Sequence, residues 1–351
     1  MKIETQLPLG NLDPGLRAAA GGLDLTRVGE EARLAEALGY SGIVSEETKD
    51  DPFVVLTLAA QATQRIGLAT GVAIAFPRAP AVTALAAWTL QRLSKGRFAL
   101  GLGSQVKGHI ERRYGMPWTP PGPWMRDYVG ALRAIWECWQ NGGNDLRYES
   151  DHYKLSLMVP LFAPPSIEHP HIPVQLAAVN PFMCQIAGEV ADGIRAHPVC
   201  TPRYIEEVML PAVRKGAAKA GRDFSRFEMA VMPLIATGPD RKSLEARVRD
   251  VRARIAFYAS TPTYLIAFES QGFGDVAREL QAYSRAQRWE EMPGFINDEM
   301  LDHYAVIGTH DEIAHRLNER FATVASHLEF AIPIADEADK AVLADLLQSL
   351  R

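Results

Sequence analysis

The chain has 351 residues, 47% of them hydrophobic and 23% charged, with a formal net charge of −5. That balance suits one large apolar core and gives no general attraction to nucleic acid or anionic lipid, and no run of about eighteen apolar residues is present to span a membrane. Cys138, Cys184 and Cys200 form no Cys-x-x-Cys pair, and Lys2 to Leu7 read as a strand rather than a secretory leader. Reduced core thiols and a cytoplasmic location are therefore expected. The length accommodates two domains or one closed α/β barrel with insertions.

Strand and helix signals alternate from the start. Strand one is expected near Ile3 to Leu7, an amphipathic helix over Leu25 to Leu38 that stops at Gly39, and strand two over Ser41 to Ser45. Asp51-Pro52 caps and starts a helix to about Thr63, because proline in the first turn lacks a donor that would be unpaired anyway. Ile66 to Ala75 reads as strand three, Ala81 to Leu93 as its helix, and Arg97 to Leu100 as strand four. Gly96 supplies the positive φ between them, and Gly101 and Gly103 leave bare backbone where strand four ends, open to a flat or anionic ligand. Trp124 to Trp139 carries apolar residues along one helical face, so its tryptophans are expected in the core.

From Gly143 to His171 the helical period vanishes, and a strand-like excursion near Tyr148 to Leu157 followed by a loop is expected. Alternation then resumes. Strands are expected at Ile172 to Ala177, Gly193 to Ala196, Phe227 to Ala236 and Leu328 to Ile332. Helices are expected at Pro181 to Val190, Pro202 to Ala220, Lys242 to Tyr258, Asp311 to Ala322 and Ala338 to Leu350, with a second insertion over Ser260 to His303. About eight strands alternating with eight helices predict a single TIM (β/α)8 barrel over residues 1–351, with insertions near 143–171 and 260–303.

In such a barrel the site lies at the carboxyl ends of the strands. There, Asn180 is a good N-cap and Pro181 a good first helical residue, so the first-turn amides offer an anion site backed by the helix dipole. An ordinary capped junction explains the same residues. Glu46, Glu47 and His109 are candidates for general acid–base work, and a hydrated loop explains the two glutamates equally well. Lys107, His109, Arg112 and Arg113 form a basic cluster past strand four, which also reads as a solvated face. Phe76, Met116, Trp118, Tyr258 and Phe268 are candidates for an apolar pocket wall. His169-Pro170-His171 and the His310, His315 pair lack the spacing and acidic partner of the helical zinc motif, so no metal is expected.

Taken together, Asp51-Pro52-Phe53, Arg65 to Val72, Ser94 to Phe98 with Gly101-Leu102-Gly103, and Ala187 to Gly193 resemble the bacterial luciferase-like family of flavin- and deazaflavin-dependent oxidoreductases. Within it the chain looks closest to the members that use coenzyme F420. The resemblance implies a TIM-type barrel with a tricyclic ring across its mouth, a non-proline cis peptide at Gly71-Val72, and a homodimer acting on a small-molecule substrate. It also implies cofactor contacts from Ser45, Gly71, Val72, Ala73, Gly103, Ser104, Gln105, Ala178, Val179 and Asn180. The sugar-phosphate and alcohol dehydrogenases of the family place a histidine after strand two and a glutamate after strand four. Here Glu46 and Glu47 fill the first neighbourhood and Val106 the second, so those roles are not carried over. F420-dependent hydride transfer is the function expected. The alternatives are an FMN-dependent monooxygenase and a cofactor-binding protein without turnover.

Overall fold

The computed structural model describes residues 1–10 and 22–350. Eight parallel strands close on themselves: β1 (Lys2–Thr5), β2 (Gly42–Ser45), β3 (Gly67–Thr70, resumed at Ala73–Ile74), β4 (Phe98–Gly103), β5 (Val174–Ala178), β6 (Gly193–Ala196), β7 (Glu228–Val231) and β8 (His327–Glu329). Each pairs with its sequence neighbours, and closure comes from β8 lying beside β1, with Ile3 opposite Leu328. Helices surround the sheet and bury apolar faces against it. The helix Pro121–Gln140 carries Trp124, Tyr128, Trp136 and Trp139, all buried, and the Trp136 indole N–H reaches the Ala84 carbonyl at 3.1 Å. These tryptophans are core, as their spacing predicts.

Local chemistry explains the element ends. Asp51 accepts from the Phe53 amide at 2.8 Å and Asn180 from the Met183 amide at 2.9 Å, each followed by proline at the first helical position. Asp192, which ends the Ala187 to Gly193 segment, takes the Val174 amide at 2.9 Å and pairs with Arg133 and Arg222, both at 2.9 Å. That segment therefore serves the scaffold, tying a helix end to β5.

Four expectations change. The apolar run Phe227 to Ala236 is two strands, because Pro233 has no N–H to continue a ladder; its second part, Leu234–Gly238, pairs outside the barrel with Ala305–Thr309. The strand Ala305–Thr309 lies just past the expected insertion, where no element was expected. The helix expected over Pro202 to Ala220 widens to a π turn at Ile205–Met209, where Pro211 offers no donor to the preceding turn. The excursion near Tyr148 to Leu157 is a short antiparallel hairpin, Tyr148–Glu149 with Lys154–Leu155.

The third strand is interrupted where the resemblance implies: the Gly71-Val72 peptide is cis, as is Leu7-Pro8. Beside it, the Thr70 hydroxyl donates to the Gly101 carbonyl at 2.7 Å and accepts from the Gly101 amide at 2.8 Å, clamping β3 to β4. A methyl on Gly101 would sit 1.9 Å from the Thr70 carbonyl oxygen and 3.2 Å from the Arg195 side chain. Gly101 is thus demanded by packing inside the barrel and not by a ligand. Gly101→Ala is expected to destabilise the fold by about 1–3 kcal/mol or more in urea unfolding, whereas Gly294→Ala, with nothing within 4 Å, is expected to stay within about 0.5 kcal/mol. Equal midpoints for the two variants would contradict the packing assignment.

Candidate active site

A cavity of about 510 Å³ opens at the carboxyl ends of the strands. It is of the size of small-molecule and cofactor sites. Nine of the thirteen residues singled out from the sequence line it together: Glu46, Gly71, Val72, Gly103, Ser104, Gln105, Ala178, Val179 and Asn180. Ser45 and Ala73 are buried on their strands without lining it. Glu47 is turned the other way, accepting from the Ile74 amide at 2.7 Å and pairing with Arg78 at 2.5 Å, so its carboxylate latches the resumed third strand. His109 is exposed on the short helix Lys107–Arg112 and does not reach the cavity.

Gly103 lines the cavity, and a methyl there would meet the Val72 side chain at 2.6 Å. Its bare backbone lets Val72 lie against β4. Gln105 holds φ 56°, a left-handed conformation uncommon for a residue with a side chain, and its own side-chain oxygen accepts from the Val106 amide at 2.8 Å. Across the mouth, the helix Pro181–Val190 presents its N-terminal end through Asn180 and Met183. Of the basic cluster, Lys107 lies on the rim, 3.8 Å from Glu111, and Arg113 stacks over Tyr114 at 5.1 Å.

Several cavity-lining residues escaped the sequence reading. Arg195 forms the floor; its two terminal nitrogens donate to Glu4 at 2.9 and 3.2 Å, and its Nε has no partner among the described residues. His197 follows β6, its ring 4.0 Å from Tyr264 and 4.6 Å from Tyr258, and its Nδ1 accepts from the Val199 amide at 3.4 Å. Burial pushes the His197 imidazole down to about 3, so it is neutral in the working range. Glu329, the last residue of β8, lines the cavity, and Gln6 at the end of β1 bonds its carboxyl at 2.9 Å. The rule that sites sit just past strand ends points to His197 and, once β8 is placed, to Glu329, whereas Arg195 lies within β6 and is revealed only by its direction into the barrel. Of the expected apolar wall, Trp118 and Tyr258 line the cavity, while Phe76 and Phe268 are core.

Comparison with known proteins fits this architecture. A family model described as luciferase-like monooxygenase matches residues 9–327. An uncharacterized protein of Mycobacterium tuberculosis is 42% identical over 327 residues, covering 93% of this chain and 95% of that one. A 5,10-methylenetetrahydromethanopterin reductase of Archaeoglobus fulgidus is 29% identical over 318 residues, covering 88% and 90%. Among solved structures, the coenzyme F420 dependent tetrahydromethanopterin reductase of Methanopyrus kandleri superposes with a TM-score of 0.75 at 20% identity, over 99% of this chain and 98% of that one. The EDTA monooxygenase of Chelativorans superposes at 0.72 with 16% identity, over 99% and 93%. The two structures share the barrel. With the family model spanning most of the chain and a relative at 42% identity along nearly all of it, the chain belongs to the luciferase-like monooxygenase family, a class of oxidoreductases.

Proposed function

We propose that this chain transfers a hydride between the deazaflavin coenzyme F420 and a small organic substrate. The observation that carries the reading is the cavity itself: the Gly71-Val72 turn packed against Gly103 on one side, a helix N-terminus at Asn180 on another, and the Lys107 ammonium on the rim. This is a slot for a flat ring with an anionic tail. The choice of deazaflavin over FMN is supported by sequence relatives. The methylenetetrahydromethanopterin reductases of Archaeoglobus fulgidus and Methanolobus tindarius match 88% and 90% of the chain at 29% and 26% identity, and the solved tetrahydromethanopterin reductase of Methanopyrus kandleri is named as coenzyme F420 dependent.

The residues present fit such a group. The Arg195 Nε–H at the floor is a buried donor without a partner among the described residues, which costs about 1–3 kcal/mol until an acceptor arrives. A ring edge carrying carbonyl oxygens supplies one. When bound, F420 provides a carbon centre that gives or takes two electrons as hydride. The chain's own residues do the rest. Arg195 orients the ring edge, the helix dipole behind Asn180 and the Lys107 charge draw the anionic tail, and Trp118, Tyr258 and Tyr264 keep water from the reacting atoms. With Nδ1 occupied by the Val199 amide, the neutral His197 ring carries its proton on Nε2 and offers a donor to a polar substrate atom.

Equilibrium titration of the purified chain separates the cofactors. F420 is expected to bind at least about tenfold more tightly than FMN, a difference of about 1.4 kcal/mol. Tighter FMN binding with oxygen uptake by the reduced complex would overturn the deazaflavin reading. His197 makes a separate prediction about stability. Its pKa lies near 6.5 unfolded and about 3 folded, so its contribution is complete above 6.5 and lost as the pH falls toward 3. In urea midpoints measured across that window, His197→Phe is expected to flatten the acid decline; parallel curves for variant and wild type would contradict the neutral ring.

A further inference from the structure

Gln6, Glu46 and Glu329 stand at the carboxyl ends of β1, β2 and β8, strands that lie side by side in the closed sheet although Gln6 and Glu329 are 323 positions apart in sequence. The Gln6 side-chain Nε2 donates to Glu46 Oε1 at 3.0 Å and to Glu329 Oε1 at 2.9 Å. One carboxamide, with its two hydrogens, thus holds two carboxyls against one wall of the cavity, and both glutamates line it. Two carboxyls gathered so closely in a partly enclosed site do not both ionise cheaply.

The other groups around Glu329 sharpen that point. Glu4 faces it from β1 with a further negative charge, and Arg195 from β6 has both terminal nitrogens engaged by Glu4. Tyr40, packed behind, donates its hydroxyl to the Phe330 carbonyl at 3.0 Å. His327, two residues back on β8, lies toward Glu4 and Glu228. Burial first, then the charges of Glu46 and Glu4, pushes the Glu329 carboxyl up to about 8, while Arg195 and the Gln6 hydrogen bond pull it down less.

We propose that Glu329 is the proton donor and acceptor of this cavity, a carboxylic acid held toward the substrate by the positioning residue Gln6. The inference rests on the hydride-transfer reading above and assigns the substrate a carbonyl oxygen or imine nitrogen facing the wall formed by β8, β1 and β2. In the reducing direction, the reduced deazaflavin would supply the hydride of the new C–H bond, and the π pair would move onto the substrate heteroatom. The Glu329 O–H bond breaks as its proton passes to that heteroatom. The substrate would be reduced and the deazaflavin oxidised; the proton the oxidised coenzyme releases to water balances the one the Glu329 carboxylate takes back from water before the next turnover. The oxidising direction runs the same transfers backward. Because its pKa is raised, Glu329 serves as donor below about pH 8 and loses that role above it.

The test has a readout that needs no cofactor. Infrared difference spectra of the chain alone, titrated from about pH 6 to about pH 10, are expected to show a protonated-carboxyl band that disappears with a midpoint near 8 and is missing in Glu329→Gln. Glu46→Gln is expected to lower that midpoint and Gln6→Leu to raise it. With F420 and a reducible substrate, Glu329→Gln is expected to lower kcat at least about 100-fold, to leave F420 affinity unchanged, and to abolish the alkaline limb of the kcat profile. A wild-type spectrum with no carboxyl titrating near 8, a band that survives in Glu329→Gln, or undiminished kcat in that variant would overturn the assignment. Failure of the wild-type chain to bind F420 is read separately, by cofactor titration, and counts against the hydride-transfer reading alone.

Discussion

Everything at the mouth of this barrel is built above one buried ion pair. Glu4 on β1 and Arg195 on β6 meet across the interior in a two-pronged contact, with side-chain exposures of 8% and 11%. Burial alone would raise the Glu4 carboxyl, and the Arg195 guanidinium reverses this, holding it below the usual range. Such pairs seldom add much net stability, but removing one partner leaves a stranded charge that costs about 3–5 kcal/mol. The pair therefore constrains the sequence around it. Gly101 stays bare beside the Arg195 stem, and the closest approach of β3 and β4 is settled there. It also commits the floor's guanidinium to Glu4, so the second and third carboxyls of the wall, Glu46 and Glu329, share an amide instead.

The frame of the molecule was largely legible in the sequence, because alternation, caps and breakers act locally. Pro181–Val190 and Gly193–Ala196 match residue for residue, and Asn180 caps as its side chain suggests. The cis bond at Gly71-Val72 came from resemblance and not from any propensity. Where the reading failed, the cause lies in what periodicity leaves open. An apolar run such as Phe227 to Ala236 looks continuous until Pro233 is weighed as a missing donor. The strand Ala305–Thr309 gains its partner only through Leu234–Gly238, which lies far away in sequence.

The site was legible where a loop turns directly off a strand and illegible where side-chain direction decides. Glu46 and Glu47 are equivalent in sequence, yet one faces the cavity and the other pairs with Arg78. The last strand was expected at Leu328 to Ile332 but ends at Glu329, which moves that carboxyl from mid-strand to the mouth. Gln6 moves likewise once β1 stops at Thr5. Strand ends depend on tertiary pairing and not on local preference, so no single-chain pattern ties Gln6 to Glu329.

The glycines that first drew notice after strand four serve packing before chemistry: Gly101 clears the floor pair and Gly103 clears Val72. The side chains around the resulting slot are a histidine between tyrosines on one side and an amide-bridged carboxyl pair on the other. A shared barrel sets where chemistry happens, and the residues on its rim set which chemistry it is. The most direct measurement is a crystal structure of the chain with F420 bound. The account predicts the deazaflavin ring over Gly71-Val72 and Gly103, an edge oxygen within hydrogen-bond reach of Arg195, and the tail leaving past Lys107. A ring bound elsewhere, or a slot closed by its own side chains with F420 present at saturation, would contradict it.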